Sequence, residues 1–246
     1  MPSRSGATNA IAVAHEDEHL LVVVKPSGIA TTAPGGKDCL TRRLESARGG
    51  ALHPTSRLDA EVSGLVTFAK SKRAIAGLRQ ARAEGRYHRG YLALAGLAEG
   101  AALDPREGSW EASIAIDPRD PTLRIASDTG ERVQRAKTSY RVRESVERAA
   151  ALWLTPHTGR THQLRVHAAH AGFPLLGDVR YGGEKRVVLR DGRVIGARRT
   201  MLHCAWLRLP AIAGRGDLEL SAEVFADMRA LWTALGGSEG ALAPAP

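Results

Sequence analysis

Two short stretches of this 246-residue chain concentrate side chains able to do chemistry. One is Arg57-Leu58-Asp59, followed by Ala60-Glu61-Val62-Ser63-Gly64, a loop of polar and small residues that runs directly into an apolar segment. A carboxylate on a loop held by a rigid strand can act as nucleophile or general base. The same tripeptide also fits an ordinary surface turn. The other stretch, Thr158-Gly159-Arg160-Thr161-His162-Gln163-Leu164-Arg165-Val166-His167, opens as a turn and takes on helical apolar spacing through Leu164 and Ala168. Thr161, His162 and Gln163 then fall at a helix N-terminus, where free backbone N–H groups can receive a phosphate. The imidazoles could equally cap the helix or bond the backbone. Spacings of five and three between His162, His167 and His170, with no carboxylate among them, do not reproduce HExxH, so no metal site is expected. Gly36-Lys37 lacks the glycine at 31 and the hydroxyl at 38 that a P-loop needs, since these are Thr31 and Asp38. No GxSxG or GxGxxG stands where a nucleophile or dinucleotide would need it.

The elements that must hold these loops can be read from periodicity and punctuation. Leu20 to Val24 is a buried strand ended by Lys25-Pro26-Ser27-Gly28, and a short helix follows near Leu40 to Ala47. Gly64 to Lys70 is a strand, Ser71 an N-cap, and Ala74, Ile75 and Leu78 carry a helix to Gly85. Strands are expected at Tyr87 to Ala95, Trp110 to Ile116, Thr138 to Val146, Ala150 to Thr155 and Met201 to Leu209. Arg186 to Ile195 is a hairpin about a two-residue Asp191-Gly192 turn. Phe225, Met228, Leu231, Trp232 and Leu235 share one face of a closing helix. Strands that follow one another without regular crossovers give an α+β fold with a mixed, largely antiparallel central sheet and flanking helices. One domain is expected over residues 11–235, between disordered tails at 1–10 and 236–246 that are rich in small residues.

Composition narrows the function. The formal charge is +9, with 29 arginines and six lysines against 26 acids. Arginine grips phosphate in two places and stacks on bases, though a GC-rich genome gives the same bias. Lys70 to Tyr91 holds seven basic residues and one acid, and Arg180 to Arg208 eight and two, so both could follow a polyanion backbone. Two cysteines without CxxC spacing argue against a disulfide framework or thiolate zinc site. Apolar runs too short for a bilayer and the absence of a signal-like start lead to an expectation of a cytoplasmic protein with no membrane association. No coiled-coil seam is present, and a monomer is expected.

Four ordered segments resemble the RluA-type pseudouridine synthases, which modify ribosomal and transfer RNA. They are Leu21 to Gly28 with its Lys-Pro-x-Gly turn, Arg57 to Leu65, Tyr91-Leu92-Ala93-Leu94, and Gly159 to His167 with Pro174-Leu175-Leu176-Gly177-Asp178 and Tyr181-Gly182. Together they span roughly residues 15 to 210. Departures are Ser56 where the family commonly has His, Val62 where it has Thr, and Arg89 for its usual Lys. An N-terminal RNA-binding module found in many relatives is not expected, which leaves the catalytic domain to hold the RNA.

The resemblance implies an isomerase that moves uracil from an N- to a C-glycosidic bond, with no cofactor, on structured rRNA or tRNA. Asp59 would be the catalytic carboxylate, either attacking ribose C1′ or removing a ribose proton to give a glycal. Arg165 would pair with Asp59, and Tyr91 would stack on the target base. Extruding that base costs a few kcal/mol, and Arg57 would fill the gap it leaves. Arg89, Arg160, Thr161, His162 and Gln163 complete the expected RNA contacts. Alternatives are a non-catalytic RNA binder of the same fold and a metal-dependent hydrolase using the histidines.

Overall fold

The computed structural model describes residues 11–101 and 103–244, so the expected tail at 1–10 lies outside the described residues. Strands β1 (Ala12–Glu16) and β2 (Leu20–Lys25) lead through helix α1 (Leu40–Arg48) and the short β3 (His53–Pro54) to β4 (Ser63–Ala69). β4 is buried at every residue, as a strand covered on both faces must be. Helix α2 (Lys72–Ala83) follows, its first turn capped by Ser71, whose hydroxyl accepts the Ala74 N–H at 3.2 Å. Next come β5 (His88–Gly96), β6 (Glu107–Ile116), β7 (Arg124–Ala126), β8 (Gln134–Val146), β9 (Ala149–Pro156) and helix α3 (Gln163–His170). The hairpin β10 (Arg186–Val188) and β11 (Val194–Gly196) precedes β12 (Leu202–Leu209), β13 (Leu218–Ser221) and helix α4 (Ala226–Ala234).

Eleven strands form one sheet, ordered β1-β2-β4-β12-β5-β9-β8-β6-β7, with β13 beside β12 and β3 beside β4. Every pairing is antiparallel except β4 with β12. The α+β fold and its largely antiparallel sheet are therefore as expected. Along β5 the side chains alternate. Tyr91, Ala93 and Ala95 join the core beneath α1, α2 and α3, while Leu92 and Leu94 join a second core beneath α4 and the β10–β11 hairpin.

The single parallel contact brings distant segments together. Cys204 on β12 stands opposite Gly64 on one side and Tyr91 on the other, and Tyr91 stands opposite Leu154 on β9. One row across the sheet thus aligns the exit of the Asp59 loop, Tyr91 and the end of the strand that leads to α3. Gly64 has φ 114°, and a Cβ there would lie 2.3 Å from the Cys204 carbonyl oxygen, so the close approach needs glycine.

Two expectations are corrected. The segment 236–244 is packed: Trp232 Nε1 donates to the Ser238 carbonyl at 2.9 Å, and Ala241 and Leu242 are buried in a 3₁₀ turn at Glu239–Leu242. Its small residues suit this role, because Gly237 lies flat on the indole where any Cβ would clash. The hairpin turn has three residues, with Leu189 N–H donating to the Arg193 carbonyl and Gly192 at φ 82°, the bulged form that needs a left-handed glycine.

His203 is fully buried between Ser63 Oγ (2.9 Å from Nδ1) and the Ala222 carbonyl (3.2 Å from Nε2). Burial, the main cause, pushes its pKa from 6.5 down to about 4. The unfolded chain takes up this proton first, so His203's contribution is present above the ordinary imidazole range and is lost as pH falls toward 4. From pH 7.5 to pH 5 this single group should cost about 2 kcal/mol of unfolding free energy. Urea titrations at both pH values should show at least that loss, and His203→Gln should shrink it by about 2 kcal/mol.

Candidate active site

Arg165 projects from the first turn of α3 and is 2% exposed. Its Nε and Nη2 donate to Asp178 Oδ2 and Oδ1, each at 2.7 Å, a bidentate pair in which Asp178 is 1% exposed. The remaining Nη1 donates to Asp59 Oδ2 at 2.9 Å. Burial works against the guanidinium charge, but the hydrogen bonds and charge of Asp178, then Asp59, outweigh it and hold its pKa above the ordinary value. The expected Arg165–Asp59 pair is present, with Asp178 as the stronger partner.

The Asp59 loop is held from below by buried polar groups. Thr31 Oγ1 both donates to the Leu58 carbonyl and accepts the Leu58 N–H, each at 2.9 Å. Lys25, at the end of β2, is fully buried and donates to the carbonyls of Pro26 (2.9 Å), Ile29 (2.7 Å) and Ala60 (3.2 Å). Burial brings its pKa down to about 8 against the opposing pull of Asp59 and Glu61. The Val62 N–H closes a turn on the Asp59 carbonyl at 3.1 Å, aiming the carboxylate into the cleft.

On the α3 side, Gln163 is 4% exposed. Its oxygen accepts from Thr158 Oγ1 (2.6 Å) and Arg160 N–H (3.0 Å), and its nitrogen donates to the Lys137 carbonyl and Thr138 Oγ1, both at 3.0 Å. The expectation that Gln163 contacts RNA is therefore corrected: its amide is used up in joining the turn to β8. His162 begins the helix at φ 57° with no capping bond, and Thr161 is exposed on the rim of the adjoining groove. The histidines disperse: His157 meets Ser139, His167 is buried on Thr138 and the Ala112 carbonyl, and His170 is exposed. Among the described residues, no group of three or more His, Cys, Asp or Glu side chains is arranged to hold a metal.

The open cleft between these supports has a volume of ≈ 490 Å³ and is lined by Arg57, Asp59, Val62, Arg89, Tyr91, Arg160, His162 and Arg165, among others. Tyr91 is buried, and that burial, with Cys204 beside it, raises its pKa above the ordinary phenol value. Its hydroxyl therefore stays protonated. Opening from the cleft is a groove of ≈ 1370 Å³ lined by Arg57, Arg82, Arg89, Arg124, Arg132 and Arg160, with Asp59 the one carboxylate. Arg82 and Arg89 lie over the Tyr87 ring, at 4.1 and 5.7 Å from its centroid.

The Lys70 to Tyr91 stretch thus supplies two groove arginines. The Arg180 to Arg208 stretch supplies no basic residue to either cavity. Its hairpin packs on the opposite face of the sheet, and Arg193, Arg199 and Arg208 pair with Asp191, Asp227 and Asp217. Sequence reasoning gave no role to Lys25, Thr31, Asp178 or Tyr181 and missed Arg124 and Arg132. Lys25, Asp178 and Tyr181 lay within quoted motifs, whereas the 117–133 excursion that carries the two arginines has no motif.

A family model described as RNA pseudouridylate synthase matches residues 19–170. The chain is 31% identical to ribosomal large subunit pseudouridine synthase C of Salmonella typhi, over 84% of this chain and 64% of that protein. It is 34% identical to ribosomal large subunit pseudouridine synthase D of Xylella fastidiosa, over 71% of this chain and 53% of that protein. It therefore spans between about half and two thirds of these relatives' length. Among solved structures, human RNA pseudouridylate synthase domain containing 1 superposes with a TM-score of 0.71 at 24% identity, covering 90% of this chain and 86% of that one. Human RNA pseudouridylate synthase domain containing 4 gives 0.69 at 23% identity, covering 92% and 93%. These two likenesses show a shared fold.

Arg165 and Asp59 should separate on substitution. Arg165→Met leaves Asp178 buried without a partner and should lower unfolding free energy by about 3–5 kcal/mol. Asp59→Asn, at a partly exposed position, should cost about 1 kcal/mol or less. Denaturant titration of both variants checks the difference.

Proposed function

The chain belongs to the RNA pseudouridylate synthase family, and from that premise we propose that it converts uridine to pseudouridine in structured ribosomal or transfer RNA, with Asp59 as the reacting carboxylate. The observation that carries this reading is the Asp59 carboxylate, bonded to Arg165 at 2.9 Å, where a cleft meets a groove lined by six arginines.

The two cavities divide the task. The groove tracks phosphates, whose contacts position the RNA without reading its sequence. The cleft accepts one extruded nucleotide, with Tyr91 beneath the base and Asp59 at the ribose. Arg57, exposed where the cavities meet, is placed to occupy the space the base leaves. Arg89 lines both cavities and holds the neighbouring backbone, while Arg160 and Thr161 form the far rim.

Both routes at the sugar begin from an ionised carboxylate, whose direction the Arg165 hydrogen bond fixes. The protonated Tyr91 phenol gives the base a face to stack on, an interaction of about 1–3 kcal/mol. The C1′–N1 bond breaks, the uracil turns and bonds C1′ through C5, and the C5 hydrogen leaves as a proton while N1 takes one up, so the product is an isomer of the substrate. No step calls for a metal or an organic cofactor.

Purified protein incubated with ribosomal or transfer RNA that lacks the modification should form pseudouridine, read by chemical mapping. Asp59→Ala should reduce the rate by at least about 10³-fold while still binding RNA. Persistent turnover in Asp59→Ala would overturn the assignment. Binding should also weaken steeply with salt, with a log–log slope set by the number of phosphates neutralised, and Arg132→Ala should make that slope shallower by about one.

A further inference from the structure

His162 stands close to Asp59 on one side and is bonded to the groove wall through Tyr181 on the other. Its Nε2 lies 3.7 Å from Asp59 Oδ2, and its Nδ1 lies 2.7 Å from the Tyr181 hydroxyl. That hydroxyl accepts the backbone N–H of Arg124 on β7 at 3.0 Å. The Tyr181 ring meets His162 edge-on at 5.7 Å and lies 4.8 Å beneath the Arg165 guanidinium. A left-handed backbone at φ 57° turns His162 into the cleft, a conformation that costs a β-carbon residue energy and that the fold nevertheless keeps.

The hydrogen-bond directions follow from chemistry. Tyr181 oxygen already accepts from Arg124, so its own proton is free for Nδ1. Nε2 then carries the imidazole hydrogen and points it at a carboxylate oxygen. The opposite tautomer would set a lone pair against Asp59. Burial first, then the charges of Arg165, Arg124 and Arg180, hold the ring toward its neutral form against the pull of Asp59.

We propose that His162 is a positioning residue for Asp59, its Nε2–H closing on Oδ2 when RNA fills the cleft and its tautomer set by Tyr181. Arg165 holds the same oxygen from one side, and His162 closes from another, so the carboxylate keeps one orientation while its second oxygen faces the ribose. Because the relay ends on β7, whose Arg124 lines the groove, RNA seated there presses on the strand that sets the histidine. This inference rests on the proposed reaction.

Single-turnover assays on unmodified RNA, with RNA binding measured separately, test it. Tyr181→Phe and His162→Leu should lower the rate constant about 10- to 100-fold, the size expected of a misplaced reacting group, and Tyr181→Phe, at a residue that lines neither cavity, should keep the Kd for RNA within about 2-fold of wild type. His162→Gln, which keeps an N–H near the Nε2 position, should recover part of the rate. Wild-type rate constants in both Tyr181→Phe and His162→Leu would overturn the relay, as would a weaker Kd with the rate constant unchanged. Asp59→Asn separates the two claims. If wild type is active and Asp59→Asn is not, a failed relay leaves the reaction standing; if wild type forms no pseudouridine, both fall.

Discussion

A buried guanidinium organises this molecule. Taking Arg165 out of water is expensive, and an arginine at 2% exposure persists only where its donors are met. Asp178 meets two of them and neutralises the charge, which leaves one edge of the fork for Asp59. The Asp59 carboxylate is therefore bound to a cation whose other edge is fixed to a group as buried as itself. Everything around the pair serves to bring three segments, near residues 59, 165 and 178, to one point.

That convergence is a problem of register. Gly64 lets β4 approach Cys204 on β12, the same residue stands opposite Tyr91, and Tyr91 stands opposite Leu154 near the end of β9. Slipping β5 by one residue would turn Tyr91 to the α4 face. Three polar anchors then trim the loops: Lys25 and Thr31 beneath the Asp59 turn, and Gln163 beneath the turn into α3. Each is buried with its hydrogen-bonding groups engaged by the backbone or a neighbouring side chain, so each rigidifies the site.

Legibility in the sequence followed range. Strands and helices announced by local pattern, such as β2, β4, the Ser71-capped α2 and α4, lie where periodicity puts them. The short strands β1, β3, β7 and β13 escaped, because they owe their form to a neighbouring strand more than to their own residues. The Arg57–Asp59 and Gly159–His167 stretches were visible as motifs, but not what each side chain does. Gln163 and Thr161 look alike as polar residues at a helix start, yet one is buried in four hydrogen bonds and the other exposed. Charge counts misled in a similar way, since the Arg180 to Arg208 cluster lies largely on the far face among acids that sequence distance concealed.

The residues that depart from the family pattern explain why the site tolerates them. Ser56, where a histidine is usual, is 7% exposed, and its hydroxyl accepts the Thr67 N–H at 3.0 Å, tying the approach to Asp59 onto β4. Val62, where a threonine is usual, is 2% exposed and forms an apolar wall of the cleft. Neither side chain hydrogen-bonds to those of Asp59, Arg165 or Asp178, and the contact of Val62 with the Asp59 turn is made by its backbone N–H. Valine at 62 keeps that wall of the cleft apolar, and a smaller side chain at 56 still satisfies a strand N–H that would otherwise be buried unpaired. Both changes fall on the support of the carboxylate, where packing and one hydrogen bond suffice, and leave unaltered the charges that set its direction.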